Sequence, residues 1–114
     1  GRAYVTYMKK VAANLKKYNC KMYYLSVNPV NSAMIKSVGG KARSEAQIAS
    51  FNRTIYKNLC SGKNKSFTYI NSCTNLQMKG WISNRHDMGI YDGLHYSNAT
   101  YLRIFDYCMR YLNR

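Results

Sequence analysis

Acidic residues are what this sequence most conspicuously lacks. Four Asp and Glu stand against 18 Lys and Arg, a net charge of +14 over 114 residues. The first acid is Glu45, and the 44 residues before it carry none. Proline is nearly absent too: Pro29 is the only one, so proline breaks the chain at a single point. No apolar run approaches the roughly 20 residues of a membrane-spanning helix, so no such span is expected. Cys20, Cys60, Cys73 and Cys108 show no Cys-x-x-Cys spacing. That argues against structural zinc and thioredoxin-like chemistry, and free, mostly buried thiols are expected.

What is present fits one globular domain. Hydrophobic residues make up 46% of the chain and charged residues 19%, outside the range in which chains stay disordered. The excess of positive charge suits acidic partners, but Lys9-Lys10, Lys16-Lys17 and Lys63/Lys65 lie far apart in the sequence. They read as solvated helix faces and loops, with no specific nucleic-acid footprint. The twelve tyrosines fall mostly at positions of helix stripes and strands, where core packing accounts for them.

The periodicity predicts a helix over 2–19, with Tyr4, Met8, Val11, Leu15 and Tyr18 on one stripe. A strand follows at 21–27, its run nearly continuous in hydrophobicity, as when both sheet faces are covered. Asn28-Pro29 ends it, and a loop hinged at Gly39-Gly40 is expected next. Ser44-Glu45-Ala46-Gln47 is a capping box that opens a helix to about Cys60, buried along Ile48, Phe51, Ile55 and Leu59. Ser61-Gly62 closes it. A second short strand is predicted at 66–70 and a long polar, aromatic loop at 71–97. Ser97 or Asn98 caps a last helix to about Asn113, with Leu102, Phe105, Met109 and Leu112 as its stripe and Tyr101 and Cys108 beside it.

The order α-β-α-β-loop-α implies parallel strands joined by crossovers. Two strands leave both sheet edges open, and three helices cannot cover both faces. The chain therefore reads as one partial domain over 1–114: the C-terminal part of a three-layer, doubly wound α/β domain. Its sheet is completed by a missing N-terminal part or by self-association, through the edge of the first strand or the helix at 2–19.

The candidate chemistry lies in Tyr91-Asp92-Gly93-Leu94-His95-Tyr96. A histidine three residues after an aspartate, just before a helix, can serve as a general base that the carboxylate orients. The competing reading is structural: Asp92 caps a turn and His95 packs against Tyr96. His86-Asp87 reads as surface loop. No metal site is expected, because His86, His95 and Asp92 lack a cluster at ligand spacing. Ser26 lies within a strand, Ser83 in the long loop and Ser97 at a helix cap, and none sits in a Gly-x-Ser-x-Gly elbow. The chain thus holds no evident nucleophile.

These residues resemble the C-terminal half of the SGNH hydrolases, the GDSL-type esterases and lipases, in the bacterial form. The family's last block is Asp-x-x-His, often Asp-Gly-x-His with an aromatic residue next and then a closing helix. Asp92-Gly93-Leu94-His95-Tyr96 and the helix after Ser97 are similar to it. The strand Tyr24 to Val27, with the turn Asn28-Pro29-Val30, looks like the family's fourth strand. Phe51-Asn52 in a helix followed by Tyr69-Ile70 also follows the pattern. The resemblance implies a flavodoxin-like fold and an ester hydrolase without cofactor. His95 would be its general base and Asp92 the residue that orients it. The Gly-Asp-Ser block and the two oxyanion-hole blocks are not in this sequence, so the isolated chain is expected to be inactive. Tyr91, Tyr96 and Trp81 flank the motif as candidate walls of a pocket for an ester, an acylated sugar or a lipid. The alternative is a basic, non-catalytic module that binds an anionic polymer such as nucleic acid or polysaccharide. The sequence does not indicate a compartment.

Overall fold

The computed structural model describes residues 1–41, 44–78 and 93–113. It is a mixed helix and strand chain: α1 (Arg2–Lys16), β1 (Tyr23–Leu25), α2 (Ser32–Ser37), α3 (Glu45–Ile55), β2 (Thr68–Ile70), α4 (Ser72–Met78) and α5 (Asn98–Leu112). β1 and β2 pair in parallel with Tyr23 opposite Thr68, Tyr24 opposite Tyr69 and Leu25 opposite Ile70.

Local chemistry explains where the helices start. Ser44 Oγ accepts from the Gln47 amide at 3.0 Å, and the Gln47 side chain accepts from the Ser44 amide at 2.9 Å, a complete capping box. Ser97 Oγ accepts from the Thr100 amide at the start of α5. Two helices stand where loops are expected, α2 and α4. Each begins on an asparagine that follows a strand: Asn31 Oδ1 accepts from the Met34 amide, and Asn71 Oδ1 from the Thr74 amide, both at 3.1 Å. Beyond Ile55 the helix widens into one π turn over Tyr56–Cys60. The Leu59 carbonyl there accepts from both Ser66 and Phe67, which sets the chain on course into β2. Gly62, at φ +85°, turns the chain between them.

The largest cluster of buried side chains joins Val5 and Ala12 of α1, Ile55, Leu59 and Cys60 of the α3 segment, and Phe67, with Tyr24 and Tyr69 packed against it. α1 and α3 therefore cover the sheet side that carries Tyr24 and Tyr69. Tyr4 reinforces the contact, with its ring 5.8 Å from Phe51 and its hydroxyl bonded to that of Tyr24. Burial and this bond push the Tyr24 hydroxyl's pKa above its ordinary value. On the opposite side Leu25 is 42% exposed. A second cluster holds Val30, Ile35, Ile48 and Cys73, and a third holds Leu76, Tyr96 and Ile104.

Two predicted stripes are rotated. In α1 the buried positions are Val5 and Ala12, while Leu15 is exposed and Tyr18 lies beyond the helix. Met8 of the expected stripe still packs against the core cluster and Tyr4 packs on Phe51, so the buried line of α1 is turned by about one residue from the expected one. In α5 the buried residues are Thr100 and Ile104, whereas Leu102, Phe105 and Leu112 are 64%, 58% and 50% exposed. Among the described residues α5 packs through its narrower face, at Ile104, while the wider apolar face is exposed.

Candidate functional site

Of the residues singled out from the sequence, Asp92, Tyr91, Trp81, Ser83 and His86 lie outside the described residues, and His95 and Tyr96 lie within them. Contacts with other described residues hold the segment that carries His95. The Gly93 carbonyl accepts from the Asn31 amide at 2.9 Å. The Tyr96 hydroxyl donates to the Pro29 carbonyl, and Tyr96 is 3% exposed. The Tyr96 amide donates to the Tyr101 hydroxyl at 3.1 Å, with the two rings 6.0 Å apart edge to face. Pro29 and Asn31 belong to the turn that leaves β1. The histidine segment therefore lies at the exit end of the strands, where α/β sheets bind their ligands, and the His95 side chain is exposed there.

Gly93 is part of this docking. Its φ is +80°, and a Cβ at this position would run into the Asn31 carbonyl oxygen and come within 2.8 Å of Ile35 Cγ1. The motif's glycine therefore lies flat on the first turn of α2. Tyr96, next to the histidine, is an anchor whose hydroxyl is committed to Pro29.

The same end of the sheet holds two buried polar clusters. Asn52, on α3, faces the backbone just beyond β1: the Val27 amide donates to its Oδ1 and its Nδ2 donates to the Val27 carbonyl, both at 2.9 Å. One side chain thus replaces a neighbouring strand for Val27. The signal was in the sequence, since Asn52 sits four residues after Ile48 on the buried stripe of α3. Ser26 and Ser72 form the second cluster. The Cys73 amide donates to Ser26 Oγ at 2.9 Å, Ser72 Oγ donates to Asn28 Oδ1 at 2.9 Å, and the two hydroxyl oxygens are 3.4 Å apart. Both serines are buried, so Ser26 ties the strand exits together. Ser97 Oγ is committed to Thr100 as the cap of α5.

All four cysteines are free thiols, with Cys60 and Cys73 buried and Cys20 exposed. Burial pushes the Cys60 thiol up to about 11, against a small opposing pull from Lys65, and burial likewise raises Cys73. At pH 8 an aromatic disulfide reagent is expected to modify Cys20 at once. Cys60 and Cys73 are expected to react only after denaturant is added, because the thiolate is the attacking species. Prompt reaction of three or more thiols in the folded chain would contradict this packing.

Among the described residues, no three His, Cys, Asp or Glu side chains come together as a metal site. Among them also, no helix is long and apolar enough to cross a membrane. An open groove of about 810 Å³ runs between α3, β2 and α4, with Arg53, Lys57, Tyr69 and Asn71 in its wall. A second, of about 670 Å³, lies at the entry end of the strands. No family model, curated protein or solved structure matches the chain.

Proposed function

We propose that this chain is the C-terminal portion of an SGNH-type serine ester hydrolase, and that it supplies the Asp-x-x-His part of the catalytic triad. The observation that carries the reading is the docking of Gly93 and Tyr96 onto the turn after β1, which leaves His95 exposed at the exit end of a parallel strand pair.

The fold proposed for the whole domain has three layers around a doubly wound sheet. Three features of this chain support that. The backbone of Met22, Tyr24 and Ser26 faces β2, so in an alternating ladder the N–H and C=O groups of Tyr23 and Leu25 point to an edge that no described strand pairs. The sheet side that carries Leu25 is half covered, and the apolar face of α5 at Leu102, Phe105 and Leu112 meets no other element among the described residues. A further set of strands and helices on the β1 side would satisfy all three.

In the intact hydrolase, His95 takes the proton of a serine hydroxyl contributed from outside this chain, and the serine attacks the ester carbonyl. His95 then returns the proton to the departing alcohol. A water activated by the same imidazole releases the acyl group. Asp92 holds the imidazole in the productive tautomer and stabilises its protonated form. Trp81 and Tyr91 remain the proposed walls for the substrate, and Tyr96 fixes the loop. No cofactor is required.

The isolated 114-residue chain lacks the nucleophile and the oxyanion donors of this scheme, so it should be inactive. Purified and assayed with a p-nitrophenyl ester, it is expected to hydrolyse no faster than its His95→Ala variant. His95-dependent turnover by the isolated chain would overturn the assignment of the nucleophile to another segment.

A further inference from the structure

The structure brings together lysines that the sequence scatters. The groove at the entry end of the strands is lined by Lys9 and Lys16 of α1, Lys21 just before β1, and Lys65 just before β2, with Asn64 and Ser66 between them. Three separate stretches of chain thus place four ammonium groups around one concave surface. None of the four has a carboxylate partner among the described residues. Of the acids described, Glu45 is bonded to Ser32 and Asp106 lies on α5. The groove is at the opposite end of the strands from His95.

Four like charges around a groove repel one another, and a bound polyanion relieves that repulsion. Among the described residues, the lining contains no aromatic ring. It therefore lacks the stacking platform with which proteins hold the bases of single strands. Lysine ammoniums with short amide and hydroxyl donors suit phosphate oxygens, which carry position and no sequence. We infer that this groove binds the phosphate backbone of duplex nucleic acid without sequence preference. The inference is independent of the ester-hydrolase reading, because it uses other residues at the other end of the sheet.

The test measures binding of the 114-residue chain to a fluorescent 20-base-pair duplex, at a series of salt concentrations. Each phosphate contact contributes a slope of about −0.9 to log K against log salt, so four contacts should weaken binding by about 10²-fold between 50 and 200 mM salt. Replacing Lys9, Lys16, Lys21 and Lys65 together by Gln should make that slope shallower by roughly 3. Replacing Lys36, Lys41, Lys57 and Arg110 by Gln removes the same charge elsewhere and should change the slope by less than 1. An equal loss in both variants would show a net-charge effect and overturn the inference. So would lysine-groove-dependent binding of heparin or anionic vesicles with no binding of the duplex.

The wild-type chain gives a second measurement that does not depend on how the variants fold. Cys20 is exposed and lines the same groove. Saturating duplex should slow its alkylation by the uncharged reagent iodoacetamide at least fivefold. An unchanged rate at saturation would place the nucleic acid elsewhere and overturn the inference.

Discussion

Replacing Gly93 by alanine is expected to destabilise the chain by about 3 kcal/mol, the sum of overpacking and a left-handed backbone penalty. That corresponds to roughly 12 °C in Tm for a domain of this size. Gly93 has φ +80°, which costs an L-residue about 1–2 kcal/mol. The larger part comes from its surroundings. The added methyl would meet the Asn31 carbonyl oxygen, which is already the acceptor for the Ile35 amide at 3.0 Å. Backbone cannot swing aside as a side chain can, so α2 or the histidine segment must move. The hydrogen bond from the Asn31 amide to the Gly93 carbonyl would then break. Gly62→Ala separates the two contributions: Gly62 has φ +85° but nothing within 4 Å of an added methyl, so it should cost about 1 kcal/mol. Equal midpoints for the two variants in thermal unfolding followed by circular dichroism would remove the docking role assigned to Gly93.

Asn52→Ala is expected to cost about 3 kcal/mol, because it removes two hydrogen bonds and leaves two partly buried backbone groups of Val27 without their partners. The companion variant Asn52→Asp is informative. Its carboxylate keeps an acceptor for the Val27 amide at 2.9 Å but sets a second oxygen against the Val27 carbonyl. It should be about as unstable as the alanine variant near neutral pH. It should recover part of the loss in acid, where the protonated carboxyl can donate. An Asn52→Ala variant as stable as the wild type in urea would mean that Val27 does not depend on this side chain.

The elements legible in the sequence were those whose signals are local. The capping box at Ser44 and Gln47 marked the start of α3, and the stripe Ile48, Ile55, Leu59 marked its buried side, because each depends on residues within one or two turns. Both strands fall inside their predicted ranges. Two short helices were not legible. α2 and α4 have six and seven residues, too few for a periodic stripe, and their asparagine caps resemble ordinary turn residues. The burial of α1 and α5 was not legible either, for a different reason. Amphipathicity says which face is apolar, but which face finds a partner depends on what packs there. Among the described residues α5 packs on the surface around Leu76 and Tyr96, so Ile104 turns inward and Phe105 outward.

For the candidate site, the sequence pointed to the histidine and its neighbours, but it did not reveal how they are held. The contacts of Gly93 with Asn31 and of Tyr96 with Pro29 span more than sixty residues, and only folding brings them together. Asn52 falls on the buried side of α3, but its partner, the backbone of Val27, is remote in sequence, and the expected stripe did not include it. The lysines of the entry groove are likewise remote in sequence. The three pairs visible there read as separate solvated faces, while the fold takes Lys9, Lys16 and Lys65 from those pairs and adds Lys21.

The most direct measurement of the central claim uses the product of the natural reading frame, including whatever is encoded before Gly1, treated with a fluorophosphonate that labels activated serines. The account predicts stoichiometric labelling of one serine N-terminal to Gly1. It predicts ester hydrolysis that falls at least about 10³-fold in His95→Ala, a loss of the size expected for a triad member, with an unchanged melting temperature. Labelling of a serine within residues 1–114, or hydrolysis indifferent to His95, would contradict it.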